Sequence, residues 1–355
     1  MPQPESKTVT LAQIARQAGV STAAVSSFLN GRNYGIRVSA GTQARITAAC
    51  RSLNYQPKNA AARGRIYPHL GDVCFLLNNT TPNGAQNHYF GQMLAGLLGA
   101  MKDGAQHVAY VLFDLETDYL ASPDSLPLPL RQHTATKFIM ASAPNPTLVQ
   151  YLDRTKLPFV YLGHHFDLPD FCSISPDYFE ASRIAVRYLH GLGHRRIAFL
   201  TGPLGSRLYN QTEIERGFVQ GMADVGLSPA PHQVCPSDLS PAGLAAAVDY
   251  CMAQTPRPTA LFCFHDSAAI YVSGYLQTRG VRVPNEVSVM GLNDEVAAAS
   301  SHPAMTTVHF PLVEMGRMAL AEVERQALEG PAARCGKVVL PVELVVRASC
   351  AAPAA

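Results

Sequence analysis

Apolar positions along the chain follow two different periods, and the change between them divides the sequence into a short head and a long body. Between residues 10 and 53, apolar residues recur three and four positions apart, which predicts short helices. From residue 71 onward, short apolar runs alternate with longer stretches of helical period. Such runs predict parallel strands that are buried on both faces and separated by helices.

The pattern of the head predicts three helices. Thr10 and Gln13 have the spacing of a capping box, and Gly19 can end the helix that follows. Ser21 can cap a second helix, and Ser39 begins a third. The buried faces are predicted to consist of Leu11, Ile14, Ala15, Ala18, Val25, Phe28, Leu29, Ile46, Ala49, Cys50 and Leu53. Two short helices joined through a glycine and closed by a third helix form a helix-turn-helix.

The pattern of the body predicts an α/β fold with parallel, doubly wound sheets. Strands are expected at Val73–Leu77, Val108–Phe113, Phe138–Met140, Phe159–Leu162, Ile197–Thr201, Leu261–Phe264 and Val287–Gly291. Helices are expected at Tyr89–Lys102, Phe179–Leu192, Ile214–Val225, Leu244–Ala253, Ser267–Arg279 and Val313–Leu328. A body of this length exceeds what one such sheet covers, so two lobes are expected. Ligands of these folds bind at the carboxyl ends of the strands.

The charge is distributed unevenly along the 355 residues. The formal net charge is only +2, but residues 1–65 carry nine basic residues against one acidic residue, and the remaining 290 carry 19 against 25. A head of charge +8 on a body of charge −6 predicts that the head binds a polyanion. In a helix-turn-helix the second helix enters the major groove, so double-stranded DNA is the expected polymer. A helical bundle without a nucleic-acid role is the alternative.

The cysteines and the N-terminus bear on the cellular compartment. The eight cysteines are scattered without a C-x-x-C pair, and several lie in apolar runs, which predicts buried reduced thiols and neither a disulfide framework nor a zinc site. The first residues contain no apolar signal-peptide core, and no apolar stretch reaches the length of a transmembrane helix. A cytoplasmic protein without membrane contact is expected.

The head resembles the LacI/GalR family of bacterial transcription regulators through Val9 to Gly31, Val38-Ser39 and Leu53 to Pro57. Two positions depart from the family pattern, because Ala24 replaces a threonine and Ser27 an arginine in the recognition helix. Arg32 and Arg37, in a loop longer than usual, are candidates to replace the lost contacts. The predicted DNA-binding residues are Thr10, Ser21, Thr22, Ala23, Ser26, Ser27, Asn30, Arg32, Arg37, Tyr55, Asn59 and Arg63.

Residues 57–69 are expected to link the head to the body. The resemblance implies a hinge that folds on DNA and inserts a leucine into the minor groove, a role that needs a bulky apolar side chain. Here Ile66 is the only aliphatic candidate, next to Gly64 and Arg65. Arg63 and Arg65 could instead lie in a narrow minor groove. A flexible tether is the alternative.

The resemblance continues in the body through Leu192 to Ala198, Arg216 to Phe218, Gly280 to Pro284, Val287 to Gly291, Met305 to Val308, Glu314 to Gly316 and Arg347 to Ser349. It implies a two-lobed body like that of periplasmic binding proteins, which binds a small effector between its lobes and forms a homodimer. The expected domains are a head at 1–56, the linker, and a body at 70–350. The first lobe is expected at about 70–166 and 302–330, and the second at about 167–301 and 331–350.

Effector contacts are expected where polar or aromatic residues follow strands or begin helices. The candidates are Tyr89, Phe90, Asp177, Arg216, His265, Asp266, Asn293 and Asp294. Asp and Asn suit sugar hydroxyls. Three positions depart from the family pattern: Ile214 replaces an arginine that contacts the effector, His265 an asparagine and Asn293 an aspartate. These departures do not favour an ordinary pentose or hexose as the effector.

The sequence thus predicts a DNA-binding transcription regulator, a repressor, whose affinity for a pseudo-palindromic operator depends on a small effector such as a sugar or sugar derivative. No enzyme is expected, because no nucleophile elbow, P-loop or metalloprotease motif is present, and no metal or cofactor is expected. A regulator that has lost effector sensing is one alternative. A periplasmic-type sugar-binding protein is the other.

Overall fold

The computed structural model describes residues 9–30, 38–53, 55, 62, 66, 72–81, 87–101, 107–132, 134–164, 171–203, 209–330 and 335–354. Helices α1 (Leu11–Ala18), α2 (Thr22–Asn30) and α3 (Ala40–Ser52) form the head. The predicted capping box at Thr10 and Gln13 is present, and Gly19 ends α1 with a φ of 64°, which favours glycine. None of the described helices is both long enough and apolar enough to span a membrane.

The core of the head includes two residues from the linker segment. Ile14, Val25 and Ile46 are fully buried, one from each helix, and Ala62 and Ile66 pack against the same cluster. The Nε of Arg51 donates to the carbonyl oxygen of Ile66 at 2.8 Å. Ile66 is therefore covered by the head in this structure and is not presented as an exposed wedge.

The first lobe is built on a parallel six-stranded sheet in the order β11-β5-β4-β3-β1-β2. Its strands are β1 (Val73–Asn78), β2 (Val108–Phe113), β3 (Lys137–Ala141), β4 (Phe159–Leu162), β5 (Ser173–Pro176) and β11 (Lys337–Leu340). Its helices are α4 (His88–Ala100), α5 (Leu128–Arg131), α6 (Pro146–Thr155) and α12 (Leu312–Glu329). β1, β3 and β4 are buried at every position, as their apolar runs predict.

The second lobe contains a parallel four-stranded sheet in the order β7-β6-β8-β9. Its strands are β6 (Ile197–Thr201), β7 (Val234–Pro236), β8 (Ala260–Cys263) and β9 (Ser288–Met290). The helices are α7 (Tyr178–Gly191), α8 (Tyr209–Asp224), α9 (Pro241–Met252), α10 (Asp266–Thr278) and α11 (Val296–Ser300). A separate antiparallel pair joins β10 (Thr307–His309) to β12 (Glu343–Val345).

Two of the expected lobe limits are wrong. β5 pairs with β4 and with β11, so residues 173–176 and 337–340 belong to the sheet of the first lobe and not to the second lobe. The second lobe begins with α7. The physical reason is that a strand belongs to the sheet with which it forms hydrogen bonds, and β5 is a short serine-containing strand whose apolar run gives no sign of its partner.

The expectation that all cysteines are reduced is also wrong. Cys172 and Cys335 form a disulfide with an S–S distance of 1.96 Å, although they lie 163 residues apart in the chain. Because β5 and β11 are parallel neighbours, the residues just before each strand meet at the same end of the sheet, where Ser173 N–H donates to the Gly336 carbonyl at 3.0 Å. The other six cysteines are free thiols, and five of them are buried.

Glycine allows close approach of α4 and α12. A Cβ atom built on Gly96 would lie 1.9 Å from the carbonyl oxygen of Val313, and one on Gly316 would lie 1.9 Å from that of Met93. Neither position can hold a larger side chain without moving a helix. The contact fixes α4, whose N-terminal end carries residues of the site described below.

Candidate functional site

The exposed face of α2 forms the candidate nucleic-acid interface. Thr22 and Ala23 are exposed in its first turn and Ser26 is half-buried one turn further on. The Ser21 hydroxyl accepts from the Ala24 N–H at 3.1 Å and so caps the helix. The side-chain amide of Asn30 donates to the Ser26 hydroxyl at 3.2 Å. This face of α2 presents short, neutral side chains, which allow the sugar-phosphate backbone or the base edges of a DNA duplex to approach the helix closely.

Ser27, which was predicted to bind DNA, does not belong to that exposed face. It is 4% exposed, because Ser27 lies on the same side of α2 as the buried Ala24, one turn earlier. Thr10 is exposed, but its side chain is engaged in the capping box. Tyr55 is half-buried, and burial raises the pKa of its hydroxyl. The predicted Arg32, Arg37, Asn59 and Arg63 lie outside the described residues.

Two basic residues that the sequence argument did not name also lie on the surface of the head. Arg16 is exposed on α1, and Arg45 is exposed on α3, where its guanidinium donates to the Thr42 hydroxyl at 3.5 Å. Both contribute positive charge that can contact phosphates. The excess of basic over acidic residues in the N-terminal segment indicates that its surface is basic, but it does not indicate which of the basic residues contact DNA.

A cavity of about 850 Å³ lies between the two lobes of the body. This is the size range of small-molecule sites in proteins. The first lobe contributes the segments after β1, β3 and β4 and the start of α4, and the second contributes the segments after β7, β8 and β9 and the start of α7. The cavity thus lies where the carboxyl ends of both parallel sheets meet, as the fold predicts.

Aromatic side chains form one wall of the cavity and connect the lobes. Tyr89 at the start of α4 is hydrogen-bonded through its hydroxyl to that of Tyr178 at the start of α7. The Tyr178 hydroxyl is also 3.1 Å from the carbonyl oxygen of Gly163, to which it can donate. Phe310 packs edge-on against Tyr178 with ring centroids 5.5 Å apart. Burial raises the pKa of both tyrosine hydroxyls, so they are neutral hydrogen-bonding groups.

His164 adds a neutral ring to the same wall. Burial lowers its pKa to about 4, so it carries no charge at neutral pH. Its ring lies 5.6 Å from that of Tyr161 and 5.4 Å from that of Tyr209. Of these three rings, that of His164 lines the cavity and can offer a flat face to a bound molecule.

Polar side chains of the second lobe form a further part of the cavity wall. The Nδ1 of His265 accepts from the Ala268 N–H at 3.0 Å, which caps α10, and burial lowers the pKa of its ring. Asn293 lines the cavity with a φ of 103°, and its amide lies 3.5 Å from the carboxyl group of Glu295. The Ser267 hydroxyl also donates to Glu295.

The structure places four of the eight predicted effector contacts on the cavity wall, namely Tyr89, Phe90, His265 and Asn293. Their part in binding stays a prediction. Asp177 is not among the lining residues, because its side chain accepts from the Glu180 N–H at 2.8 Å and caps α7. Arg216 is exposed on α8 and forms an ion pair with Glu213 at 2.5 Å.

Asp266 and Asp294 are also not among the lining residues, and both act within the protein. Asp266 is fully buried and its Oδ2 accepts from the Glu295 N–H at 2.7 Å. Asp294 forms an ion pair with Arg347 at 2.6 Å and lies 3.2 Å from His309. Both side chains hold the chain segments behind the cavity.

Several lining residues were missed by the sequence argument. These are polar or aromatic residues that follow strands or begin helices, and they include Asn78, Ser142, His164, Tyr178, Asn210, Asp238, Ser240 and Glu295. Their position directly after the apolar runs of predicted strands could have identified them as residues near the ligand site. Ile214 also lines the cavity, where the family pattern has arginine, so an apolar side chain occupies that part of the wall.

Two family models match the chain. Residues 10–58 match the model of bacterial regulatory proteins of the lacI family, and residues 186–350 match a periplasmic binding protein-like domain. The chain is 29% identical over 316 residues to the HTH-type transcriptional repressor PurR of Aliivibrio fischeri (strain MJ11), which covers 88% of this chain and 89% of that protein. It is 28% identical over 313 residues to PurR of Vibrio cholerae serotype O1 (strain M66-2), covering 87% and 89%.

Solved structures show the same fold along almost the whole chain. The transcriptional regulator CelR in complex with cellobiose superposes with a TM-score of 0.69 at 22% identity, covering 96% of this chain and 99% of CelR. The lac repressor dimer bound to operator and the anti-inducer ONPF superposes with a TM-score of 0.68 at 22% identity, covering 98% and 100%. The arrangement of a helical head followed by a two-lobed body is therefore that of known regulators.

Proposed function

Since the chain belongs to the LacI family of bacterial regulatory proteins, we propose that it is a transcription repressor whose affinity for its operator is set by a small effector bound between the lobes. The observation that carries the DNA-binding part is the exposed first turn of α2 within an N-terminal segment, residues 1–65, of charge +8. Short side chains at Thr22 and Ala23 allow close contact with base edges, and the exposed Arg16 and Arg45 contact phosphates.

The cavity supports the effector part of the proposal. Its volume, its aromatic wall and its amide and hydroxyl groups suit a polyhydroxylated molecule, and CelR, which has the same fold, binds cellobiose. We place a sugar or sugar derivative in the cavity. A bound molecule contacts both lobes and can therefore change the equilibrium between arrangements that bind the operator and arrangements that do not.

A single substitution in α2 tests the DNA-binding role. Ala23→Glu places a carboxylate where the duplex approaches, and it should reduce operator binding by more than about 100-fold through charge repulsion. The folded head should be retained, since a carboxylate in the first turn of a helix is favourable. Binding is measured on genomic fragments that the wild-type protein retains, followed by sequencing of the retained DNA.

The matched control is Ala44→Glu, which makes the same change at an exposed position of α3. It should change binding by only a few-fold. Wild-type affinity should also fall steeply with salt, because phosphate contacts release counterions. Unchanged binding by Ala23→Glu together with a flat log–log salt plot would refute the DNA-binding role of the head.

We further propose that the protein acts as a homodimer on a pseudo-palindromic operator. The lac repressor of similar fold binds its operator as a dimer. In this chain β2 is an edge strand of the first sheet, and Tyr110 and Leu112 on its exposed face are 40% and 50% exposed. Leu98 on α4 adds a further exposed apolar side chain. A second copy that covers this edge would remove both the apolar surface and the open strand from water.

Leu112→Asp tests the dimer. The variant should be monomeric by sedimentation velocity at micromolar concentration, and it should lose tight binding to a two-half-site operator. Leu128→Asp is the control, since Leu128 is also 50% exposed but lies on α5 and not on the edge strand β2. A Leu112→Asp protein that sediments as a dimer would place the interface elsewhere.

A further inference from the structure

The charge of the cavity restricts the chemistry of its ligand beyond the general class of sugars. Among the described residues that line it, the only acidic groups are Asp238 and Glu295, and none is Lys or Arg. His164 and His265 are half-buried, and the loss of hydration lowers the pKa of both rings, so neither supplies a positive charge at neutral pH. The described wall, which also includes His88 at the start of α4, therefore carries two carboxyl groups and no Lys or Arg side chain to hold an anionic group.

Glu295 is the central residue of this wall. It is 8% exposed, and it lies at the start of α11. Its carboxyl oxygens accept from the Ser267 hydroxyl and lie 3.5 Å from the Asn293 amide, and no ion pair to it is found among the described residues. A buried carboxylate is costly unless it is paired or fully hydrogen-bonded. Its remaining acceptor capacity is therefore available to a donor from the cavity.

The surroundings of Glu295 supply no compensating positive charge. Asp266 lies behind it and accepts from its N–H, and one carboxyl oxygen of Asp266 has no partner. Asp294 is the preceding residue, and it is already paired with Arg347. A carboxylate or phosphate brought into the cavity would face Asp238 and the largely buried Glu295, and no Lys or Arg among the described lining residues would offset the repulsion between like charges.

We infer that the effector carries no negative charge and presents a hydroxyl or a protonated amine to Glu295, so that neutral sugars and amino sugars bind whereas sugar acids and sugar phosphates are excluded. This inference rests on the proposed effector role of the cavity. An amine would form a charge-assisted hydrogen bond with Glu295, which is stronger than the bond from a neutral hydroxyl. The aromatic wall would contact the apolar face of the sugar ring.

The experiment compares sugars that differ only in charge. The disaccharide set contains neutral cellobiose, the disaccharide of glucosamine with one amine on each ring, and the acid cellobionic acid. The monosaccharide set contains neutral glucose, its amino form glucosamine, and the anionic gluconic acid and glucose 6-phosphate. The same four forms of other hexoses extend the panel. Thermal shift of the full-length protein identifies binders, and isothermal titration calorimetry gives their affinities. Binders are expected only among the neutral and amino forms, at least about 100-fold tighter than the matching acids.

Two variants test the assignment to the carboxylates. Glu295→Gln keeps the size of the side chain and removes the charge, so the advantage of an amino sugar over its neutral counterpart should fall by roughly 10-fold or more. Asp238→Asn changes an exposed cavity residue and provides a second test should Glu295→Gln fold poorly. Glu213→Gln makes the same change outside the cavity and should leave the order of affinities unchanged.

The outcomes separate the two proposals. Tight binding of a sugar acid or phosphate by the wild-type protein would overturn the charge restriction while leaving the cavity as the effector site. An amine preference that persists in both Glu295→Gln and Asp238→Asn would also overturn it. If no member of the panel binds, the sugar effector itself is refuted, and the charge restriction is refuted with it.

Discussion

Asp266 provides the most quantitative test of the structure because it is a fully buried carboxyl group with an incomplete set of hydrogen bonds. Its Oδ2 accepts from the Glu295 N–H at 2.7 Å, whereas its Oδ1 has no partner. Burial raises its pKa from 3.8 to about 8, and the neighbouring Glu295 and Asp294 add to the rise. In the folded protein Asp266 therefore holds a proton at pH 7 that the unfolded chain has released.

The sign of the resulting pH dependence follows from this difference. A folded-state pKa above the unfolded value means that the contribution of the group to stability is complete below pH 3.8 and is lost as the pH rises toward 8. The free energy of unfolding should fall by about 1.4 kcal/mol per pH unit in that range. Between pH 5 and pH 7 the contribution of Asp266 is a loss of about 2.5 kcal/mol.

Asp266→Asn removes this titration and keeps the acceptor for the Glu295 N–H. The new amide nitrogen occupies the position of the unpartnered oxygen, which costs about 1–3 kcal/mol at every pH. Relative to the wild type, the variant should therefore gain about 2.5 kcal/mol between pH 5 and pH 7, whatever its stability at pH 5. Urea unfolding followed by circular dichroism at 222 nm measures this, since the chain has no Trp.

Asp238→Asn is the matched control. Hydrogen bonds from the Ser240 hydroxyl and N–H lower the pKa of Asp238, so both the folded and the unfolded states are ionised above pH 5. Its stability difference from wild type should be constant between pH 5 and pH 7 and should change only in more acidic solution. A difference for Asp266→Asn that stays within about 1 kcal/mol across the same range would refute the reasoning, because it would mean that the carboxyl group is ionised in the folded protein.

The close packing of α4 on α12 and the disulfide give two further predictions. Gly96→Ala should lower the free energy of unfolding by about 1–3 kcal/mol, because the new methyl group would meet the Val313 carbonyl at 1.9 Å. Gly99→Ala in the same helix meets nothing within 4 Å and should be neutral or stabilising by up to about 1 kcal/mol, so equal urea midpoints for the two variants would contradict the packing. Protein unfolded without reductant should titrate six thiols with Ellman's reagent and eight after reduction, and eight in both cases would exclude the bond between Cys172 and Cys335.

The parts of the fold that could be predicted are those with a local signature. Strands such as β1 and β4 are buried on both faces and therefore appear as continuous apolar runs. β5 is equally buried and as short as β4, but two of its four residues are serine, so it does not appear as an apolar run. β11 alternates exposed and partly buried positions at the edge of the sheet. The pairing of these two strands, and the disulfide beside them, depends on segments more than 160 residues apart, which no local pattern records.

The difference between local and long-range information also explains why only some of the predicted effector contacts line the cavity. An acidic residue that follows a parallel strand can face the cavity, or it can cap the helix that begins there, and both roles favour Asp at the same position. Asp177 caps α7, and Asp266 binds the backbone of another loop. The residue type and its spacing therefore identify the region of the site without deciding which way each carboxyl group points.

The segment after β9 shows that the backbone conformation decides which side chains point into the cavity. Asn293 and Asp294 have φ values of 103° and 57°, both in the left-handed region, so the chain turns sharply between the strand and α11. With this turn, Asn293 and Glu295 line the cavity, whereas Asp294 between them forms an ion pair with Arg347 and does not line it. A pattern argument that treats neighbouring polar residues as one cluster selects Asn293 and Asp294 and passes over Glu295. The ligand preference proposed above depends on that residue, so the backbone turn and not the composition of the segment determines the charge that an effector meets.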